Sequence, residues 1–264
     1  MAPRRSTLAP VLWIPAGLAL ALLLLPLVAL IVRAPWAQLP ALLSEPTVAR
    51  ALGLSLVTAL CATLICLVLG VPLALVLARS AAWPAVPRRL VRALVTVPLV
   101  LPPVVGGVAL LLLLGRRGLI GQFLPFGIPF TSAAVVIAQV FVSMPFLVIA
   151  VEGALRASDR RFEVAAATLG ASRAQVFWRV TLPLVAPGIA SGALLCFTRS
   201  LGEFGATITF AGSFPGTTQT LPISTYLLLQ TDPNAAIALS LVLMVVSVVV
   251  LVSLRDRWVP GVVS

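Results

Sequence analysis

Arg161-Phe-Glu-Val-Ala-Ala-Ala-Thr-Leu-Gly170 is a charged, alanine-rich island in a chain that is otherwise mostly apolar. It lies within residues 152–186, a connection longer than joining two helices requires. Long connections in compact proteins usually carry function. Ser158 and Asp159 are N-cap residue types, the three alanines favour helix with a thin, smooth surface, and Gly170 stands where a helix would be capped. Ser172 with Gln175 three residues on has capping-box spacing, so a second short helix is expected. Phe177, Trp178 and Val180 form an apolar patch, and Pro183 and Pro187 close the segment. One reading is a turn that rests this patch on its own bundle. The other is a knob that fits a groove on a partner, as aromatic anchors beside small residues do.

Working outward, apolar runs long enough to cross a bilayer flank the island on both sides. Six are expected, at about residues 11–32, 51–78, 93–114, 132–151, 187–210 and 235–254. The second is long enough to tilt. The first follows Arg4 and Arg5, but its apolar core exceeds a signal-peptide core and no A-x-A site follows, so it reads as a retained helix. Residues 33–50, with Trp36 among leucines and alanines, read as a short interfacial helix. Composition agrees: 61% of the 264 residues are hydrophobic and 9% charged, whereas soluble domains carry about a quarter charged residues. The fold class expected is an all-α integral membrane protein forming one membrane domain.

All eighteen basic residues are arginine, and the net charge is +11. Without lysine there is no G-x-x-x-x-G-K phosphate loop, and without histidine the commonest general base and metal ligand are missing. The chain therefore reads as no enzyme, with no catalytic residue and no metal site. Nucleic acid is excluded as the reason for the charge, because the arginines sit in clusters between apolar runs. With the N-terminus inside, thirteen arginines fall on the cytoplasmic side and four outside, and Arg199 lies within a span. Both termini are expected to be cytoplasmic. Cys61, Cys66 and Cys196 lie in apolar runs without a C-x-x-C pair and read as small buried residues.

The fifth run holds Arg199 and Glu203, four apart and hence on one face of a continuous helix. Each is costly at the bilayer centre if unpaired, so both should face the bundle interior or water. They lock helix packing or line a translocation path or its gate, with Ser200, Thr207 and Thr209 supplying hydroxyls. Pro98, Pro102, Pro103 and Gly106 interrupt the third run and predict a bend, either simple or pathway-lining.

The string beginning at Phe162 and ending in Thr181-Leu-Pro-Leu-Val-Ala-Pro-Gly188 resembles the EAA loop of ABC-importer permeases. The resemblance implies that Glu163, Ala165, Ala166, Gly170, Leu182 and Pro183 couple to an ATPase. The usual glutamate directly precedes two alanines; here Val164 holds that place and Glu163 stands one residue earlier. Pro98-Leu-Val-Leu-Pro-Pro-Val-Val-Gly-Gly107, Arg199-Ser-Leu-Gly-Glu-Phe-Gly-Ala-Thr-Ile-Thr-Phe-Ala-Gly212 and Pro215-Gly-Thr-Thr-Gln-Thr-Leu-Pro-Ile-Ser-Thr-Tyr226 are similar to molybdate-type permeases, and the second string is shared with sulfate and thiosulfate permeases. The resemblance covers roughly residues 51–254, the type I transmembrane core. It implies a homodimer in a bacterial cell membrane that imports molybdate, and tungstate with it. It also implies two cytoplasmic ATPase subunits, which bind ATP and magnesium, and an extracytoplasmic molybdate-binding protein. The alternatives are a sulfate or thiosulfate permease and, from another class, a stand-alone anion channel or secondary transporter.

Overall fold

The structure, a computed structural model, describes residues 12–80 and 83–258. Arg4, Arg5 and the first residue of the first expected span lie outside the described residues, as do the side chains of Arg255 and Arg257. Among the described residues the regular structure is helical. The order is α1 (Trp13–Val32), α2 (Leu39–Leu43), α3 (Pro46–Arg79), α4 (Ala85–Val100), α5 (Pro103–Leu114), α6 (Ser132–Ala157), α7 (Arg161–Thr168), α8 (Arg173–Val176), α9 (Leu182–Leu201), α10 (Gly205–Ala211), α11 (Leu221–Thr231) and α12 (Pro233–Trp258). Helix is what an apolar chain must form in lipid, where every backbone N–H and C=O needs an internal partner.

Among the described residues five helices are long and apolar enough to cross a membrane, and six spans result if α4 and α5 count as one broken crossing. The centre is α3, α6 and α9. Small residues let these helices approach: Ala59, Ala62 and Ala74 of α3, Ala134 and Ala138 of α6 and Gly192 of α9 are all buried. A thread of polar side chains runs through the same core. Gln139 Nε2 donates to Thr58 Oγ1 at 3.2 Å, Ser200 Oγ donates to Ser143 Oγ at 2.9 Å, and Cys196 Sγ donates to Ser143 Oγ at 3.3 Å. By contrast α1 buries none of its residues and presents apolar side chains all round, as a helix surrounded by lipid would.

The third and fifth spans differ from expectation. Residues 93–114 are not one helix: α4 and α5 meet at 115°. Pro102 and Pro103 lack N–H groups, and each restricts the residue before it, so Leu101 and Pro102 are extended (ψ 133° and 132°). Pro98 is not at this break but inside α4, and Gly106 lies in α5, where an added Cβ would press on Phe141 Cε1 at 2.9 Å. Residues 187–210 likewise split: α9 ends at Leu201 and α10 begins at Gly205. Arg199 and Glu203 therefore do not share the face of a continuous helix, because Glu203 stands in the break. The second span starts at Pro46, and the fourth runs to Ala157, which shortens the connection after it.

Candidate coupling element and intramembrane ion pair

The connection after α6 folds as α7, α8 and a π-helical turn, Phe177–Thr181, that runs into α9. Asp159 Oδ1 accepts from Arg161 N at 2.9 Å at the start of α7. The end of α7 is fixed by Gly170, whose φ of +86° places it in the left-handed region that side chains avoid. There Ala171 N donates to Ala166 O and Gly170 N to Ala167 O, both at 3.1 Å, which is the Schellman pattern. Ser172 and Gln175 form a complete capping box at α8.

Glu163 turns inward. Its Oε1 accepts from Thr181 Oγ1 at 2.6 Å and lies 3.7 Å from Arg79 Nη2. One carboxylate thus ties α7 to the start of α9 and to the end of α3. Thr181 is buried, so this charge-assisted bond is shielded from water. The sequence marks Thr181 only as part of the Thr181–Gly188 string and gives Arg79 no link to Glu163; sixteen or more residues separate each from Glu163, and no periodicity links them. Val164, which holds the place of the usual glutamate, points outward and is exposed.

The outer face of the element is apolar. Phe162, Val164, Leu169 (88% exposed) and Trp178 (64%) stand out from it. Two concavities of about 360 and 380 Å³ flank it, the first lined by Phe162, Arg179, Val180, Pro183 and Leu184, the second by Ala166, Leu169, Gly170, Ala171, Gln175, Arg179 and Val180. Pro183 thus shares a concavity with Phe162 at the start of α7, Leu182 opens α9, and Ala165 is exposed on the helix. The tip is apolar, has a groove on each side and ends at a glycine stop, and its large apolar side chains are exposed.

Inside the bundle, Arg199 Nη1 lies 2.6 Å from Glu203 Oε2. Glu203 is 1% exposed, and its other oxygen, Oε1, accepts from Ala206 N at 2.8 Å. The carboxylate therefore does two things at once: it neutralises Arg199 and caps the first turn of α10. Arg199 keeps 27% of its side chain exposed. Ser200 turns into the core toward Ser143, and Thr209 donates to Gly205 O at 2.8 Å. Thr207 is buried, and its hydroxyl has no partner among the described residues. Five expected path residues are thus sorted into one ion pair, two bonded hydroxyls and one unpaired hydroxyl.

The two broken spans fit each other. α10 packs along α5, and an added Cβ on Gly107 would meet Thr209 Cβ at 2.7 Å and Ala206 O at 2.8 Å. Pro103, at the break of one span, lies 2.9 Å from where a Cβ on Gly205 would be, at the break of the other. Among the described residues no group of three or more His, Cys, Asp or Glu is arranged to hold a metal ion.

Known proteins share this organisation. The molybdenum transport system permease protein ModB of Mycobacterium tuberculosis is 52% identical over 251 residues, covering 93% of each chain. The sulfate transport system permease protein CysT of Salmonella typhimurium is 36% identical over 241 residues, covering 89% of this chain and 86% of its own. Among solved structures, a bacterial ABC transporter that imports the acidic polysaccharide alginate superposes with a TM-score of 0.71 at 17% identity, over 92% of this chain and 94% of the other. That likeness establishes a type I ABC-importer permease fold. The family described as the inner membrane component of binding-protein-dependent transport systems matches residues 70–260. With two broken spans, an exposed apolar element between α6 and α9 and these relatives, the chain belongs to that family of multi-pass membrane permeases.

Proposed function

We propose that this permease carries molybdate, and tungstate with it, across a bacterial cell membrane. The supporting observation is the 52% identity to a molybdenum permease over 93% of both chains, against 36% for a sulfate permease. Sulfate or thiosulfate is the second reading, favoured by that more distant relative. The cargo is a tetrahedral dianion in either case.

The chain works as a homodimer with two separate ATPase subunits, which bind ATP and magnesium, and with an extracytoplasmic binding protein that delivers the anion. Both termini face the cytoplasm. Arg79, Arg92 and Arg156 gather at the same end of the bundle as α7, in keeping with a cytoplasmic knob. The α7 tip, with Ala165, Ala166, Gly170, Leu182 and Pro183, seats in a cleft of the ATPase. Glu163 holds the knob to α9 and α3, so motion of the ATPase reaches the spans as a rigid-body displacement.

The gate lies where the two breaks meet. Arg199 is the exposed half of a neutralised pair, so it attracts an oxyanion without trapping it. Thr207 and Thr209 line the same level, and Ser200 holds α9 to α6. Pro102 and Pro103 give α5 the tilt that seats α10.

Proteoliposomes holding the permease, the neighbouring ATPase and the binding protein test this reading. Uptake of molybdate, blocked by tungstate and unaffected by excess sulfate, is the expected result. Uptake driven equally by sulfate overturns the cargo, and anion flux without ATPase overturns the class.

A further inference from the structure

We propose that the cavity enclosed by α2, the start of α3, α11 and the start of α12 binds the zwitterionic headgroup of an amine-bearing phospholipid, a phosphate joined to a primary ammonium. The cavity measures about 370 Å³, within the range of small-ligand sites. Its floor is apolar, with Val48, Ala51 and Leu239 all buried. Its lining also carries one cation, Arg50, and two carboxylates, Glu45 and Asp232. Arg79, at the other end of the 34-residue α3, approaches Glu163, so the cavity lies at the end of the bundle away from α7.

These charges are not spent on one another. Among the described residues the ion pairs are Arg79–Glu163, Arg92–Glu152, Arg156–Glu152 and Arg199–Glu203, so Arg50, Glu45 and Asp232 belong to none. Glu45 Oε2 accepts from Thr47 Oγ1 at 3.3 Å. Asp232 Oδ1 caps α12, accepting from Asn234 N and Ala235 N at 3.1 Å, which leaves its other oxygen facing the cavity side of the chain unbonded. Ser224, also on the lining, is 6% exposed, and its hydroxyl has no hydrogen-bond partner among the described residues. Hydroxyls buried to this degree are ordinarily bonded. Unpaired groups of both signs around one cavity suit a ligand that carries both signs. A phosphate accepts from the guanidinium fork, and a primary ammonium donates to the carboxylates. With one cation against two carboxylates, a purely anionic headgroup is disfavoured, and the ammonium decides.

The surroundings favour lipid as the bearer of that headgroup. Leu42 reaches the lining from α2, a short apolar helix. Trp36, just before α2, is exposed, and its indole N–H donates to Ile31 O at 3.0 Å. Tryptophan in such a place marks the headgroup level of a bilayer. α1 ends at Val32, shortly before α2, and buries none of its residues, so it offers apolar surface to acyl chains. Soluble phosphoethanolamine is the other bearer of the same chemistry. The inference rests on the chain spanning a membrane, not on its cargo.

The test is native mass spectrometry of the assembled transporter released from nanodiscs of phosphatidylethanolamine, phosphatidylglycerol and phosphatidylcholine in equal parts. Wild type should retain phosphatidylethanolamine over the other two. Glu45→Gln and Asp232→Asn are compared singly and together, and Arg50→Gln separately. The asparagine oxygen can still cap α12, and thermal unfolding in the same nanodiscs confirms a folded bundle. Arg116→Gln/Arg117→Gln, in the connection between α5 and α6, serves as control. An exposed ionic contact is worth up to about fivefold in binding (about 1 kcal/mol). Retained phosphatidylethanolamine should fall about fivefold in each single variant and about 25-fold in the double carboxylate variant, with the control unchanged. Resistance of the adduct to millimolar phosphoethanolamine supports lipid as the occupant; displacement by it overturns lipid. Equal retention of phosphatidylethanolamine by wild type and the double variant overturns the proposal, as does wild type that retains phosphatidylglycerol equally well. So does a double variant that keeps its lipid and instead loses the extracytoplasmic binding protein, which makes the cavity a protein contact. No ATP or cargo enters the measurement, so its failure is separable from failure of the transport reading.

Discussion

Replacing Glu203 with glutamine should destabilise the bundle through Arg199. The amide oxygen can still accept from Ala206 N, so the α10 cap survives; what goes is the negative charge 2.6 Å from Arg199 Nη1. Removing one partner of a buried pair costs about 3–5 kcal/mol. Arg199 is 27% exposed and regains part of that in water, leaving a loss of about 2–3 kcal/mol. At about 2–4 °C per kcal/mol for a chain of this size, Tm should fall by about 5–10 °C. Arg199→Gln strands the more deeply buried carboxylate and should cost at least as much. The double variant replaces the ion pair with two neutral amides and should be more stable than the summed losses, by a coupling of about 1–3 kcal/mol. Thermal unfolding of all four proteins in nanodiscs closes the cycle. Losses that add to within about 0.5 kcal/mol would refute the pairing. If the double variant regains stability but not uptake, the charges serve the gate as well as the packing.

Three further outcomes follow from the same geometry. Gly170→Arg forces a side chain into a backbone with φ +86°, at a cost of about 1–2 kcal/mol confined to the knob; co-purification of the ATPase should drop sharply while bundle Tm stays near wild type, and unchanged association contradicts the docking role. Glu163→Ala leaves the buried Thr181 hydroxyl without its 2.6 Å acceptor, a loss of about 1–3 kcal/mol. It should raise the ATP hydrolysed per anion imported, whereas Glu163→Gln retains most coupling; an equal defect in both would mean that the charge, not the tether, matters. Gly107→Val drives a side chain into Thr209 and the Ala206 carbonyl, costing about 1–3 kcal/mol of overpacking, and a normal Tm would show that α5 and α10 do not need close contact.

The sequence carried the spans well because length and apolarity are all a bilayer demands of a helix. The two short helices after α6 were equally legible: Gly170, Ser172 and Gln175 are local stop and start signals, and each acts within four residues of itself. The two breaks were not legible from hydropathy, since residues 99–105 and 204–211 stay apolar through or beside them. Prolines 102 and 103 foretold a bend but not that the chain would turn by 115° there, because Pro98, just upstream, is absorbed inside a helix. At Glu203 the i, i+4 spacing from Arg199 suggested one helix face, and the competing signal was subtler. An acidic residue between two glycines, three before Ala206, is also a cap for a new helix. Contacts such as Glu163 to Thr181, or Gly107 to Thr209, join residues with no shared periodicity, and only the packed bundle reveals them.

The most direct test of the account is ATP hydrolysis by the reconstituted permease and ATPase, with and without molybdate-loaded binding protein outside the liposome. Stimulation by the molybdate-loaded form, none by a sulfate-loaded one, and loss of that stimulation in Gly170→Arg are the expected results. Hydrolysis that ignores the loaded binding protein, or survives the Gly170 substitution unchanged, would contradict it.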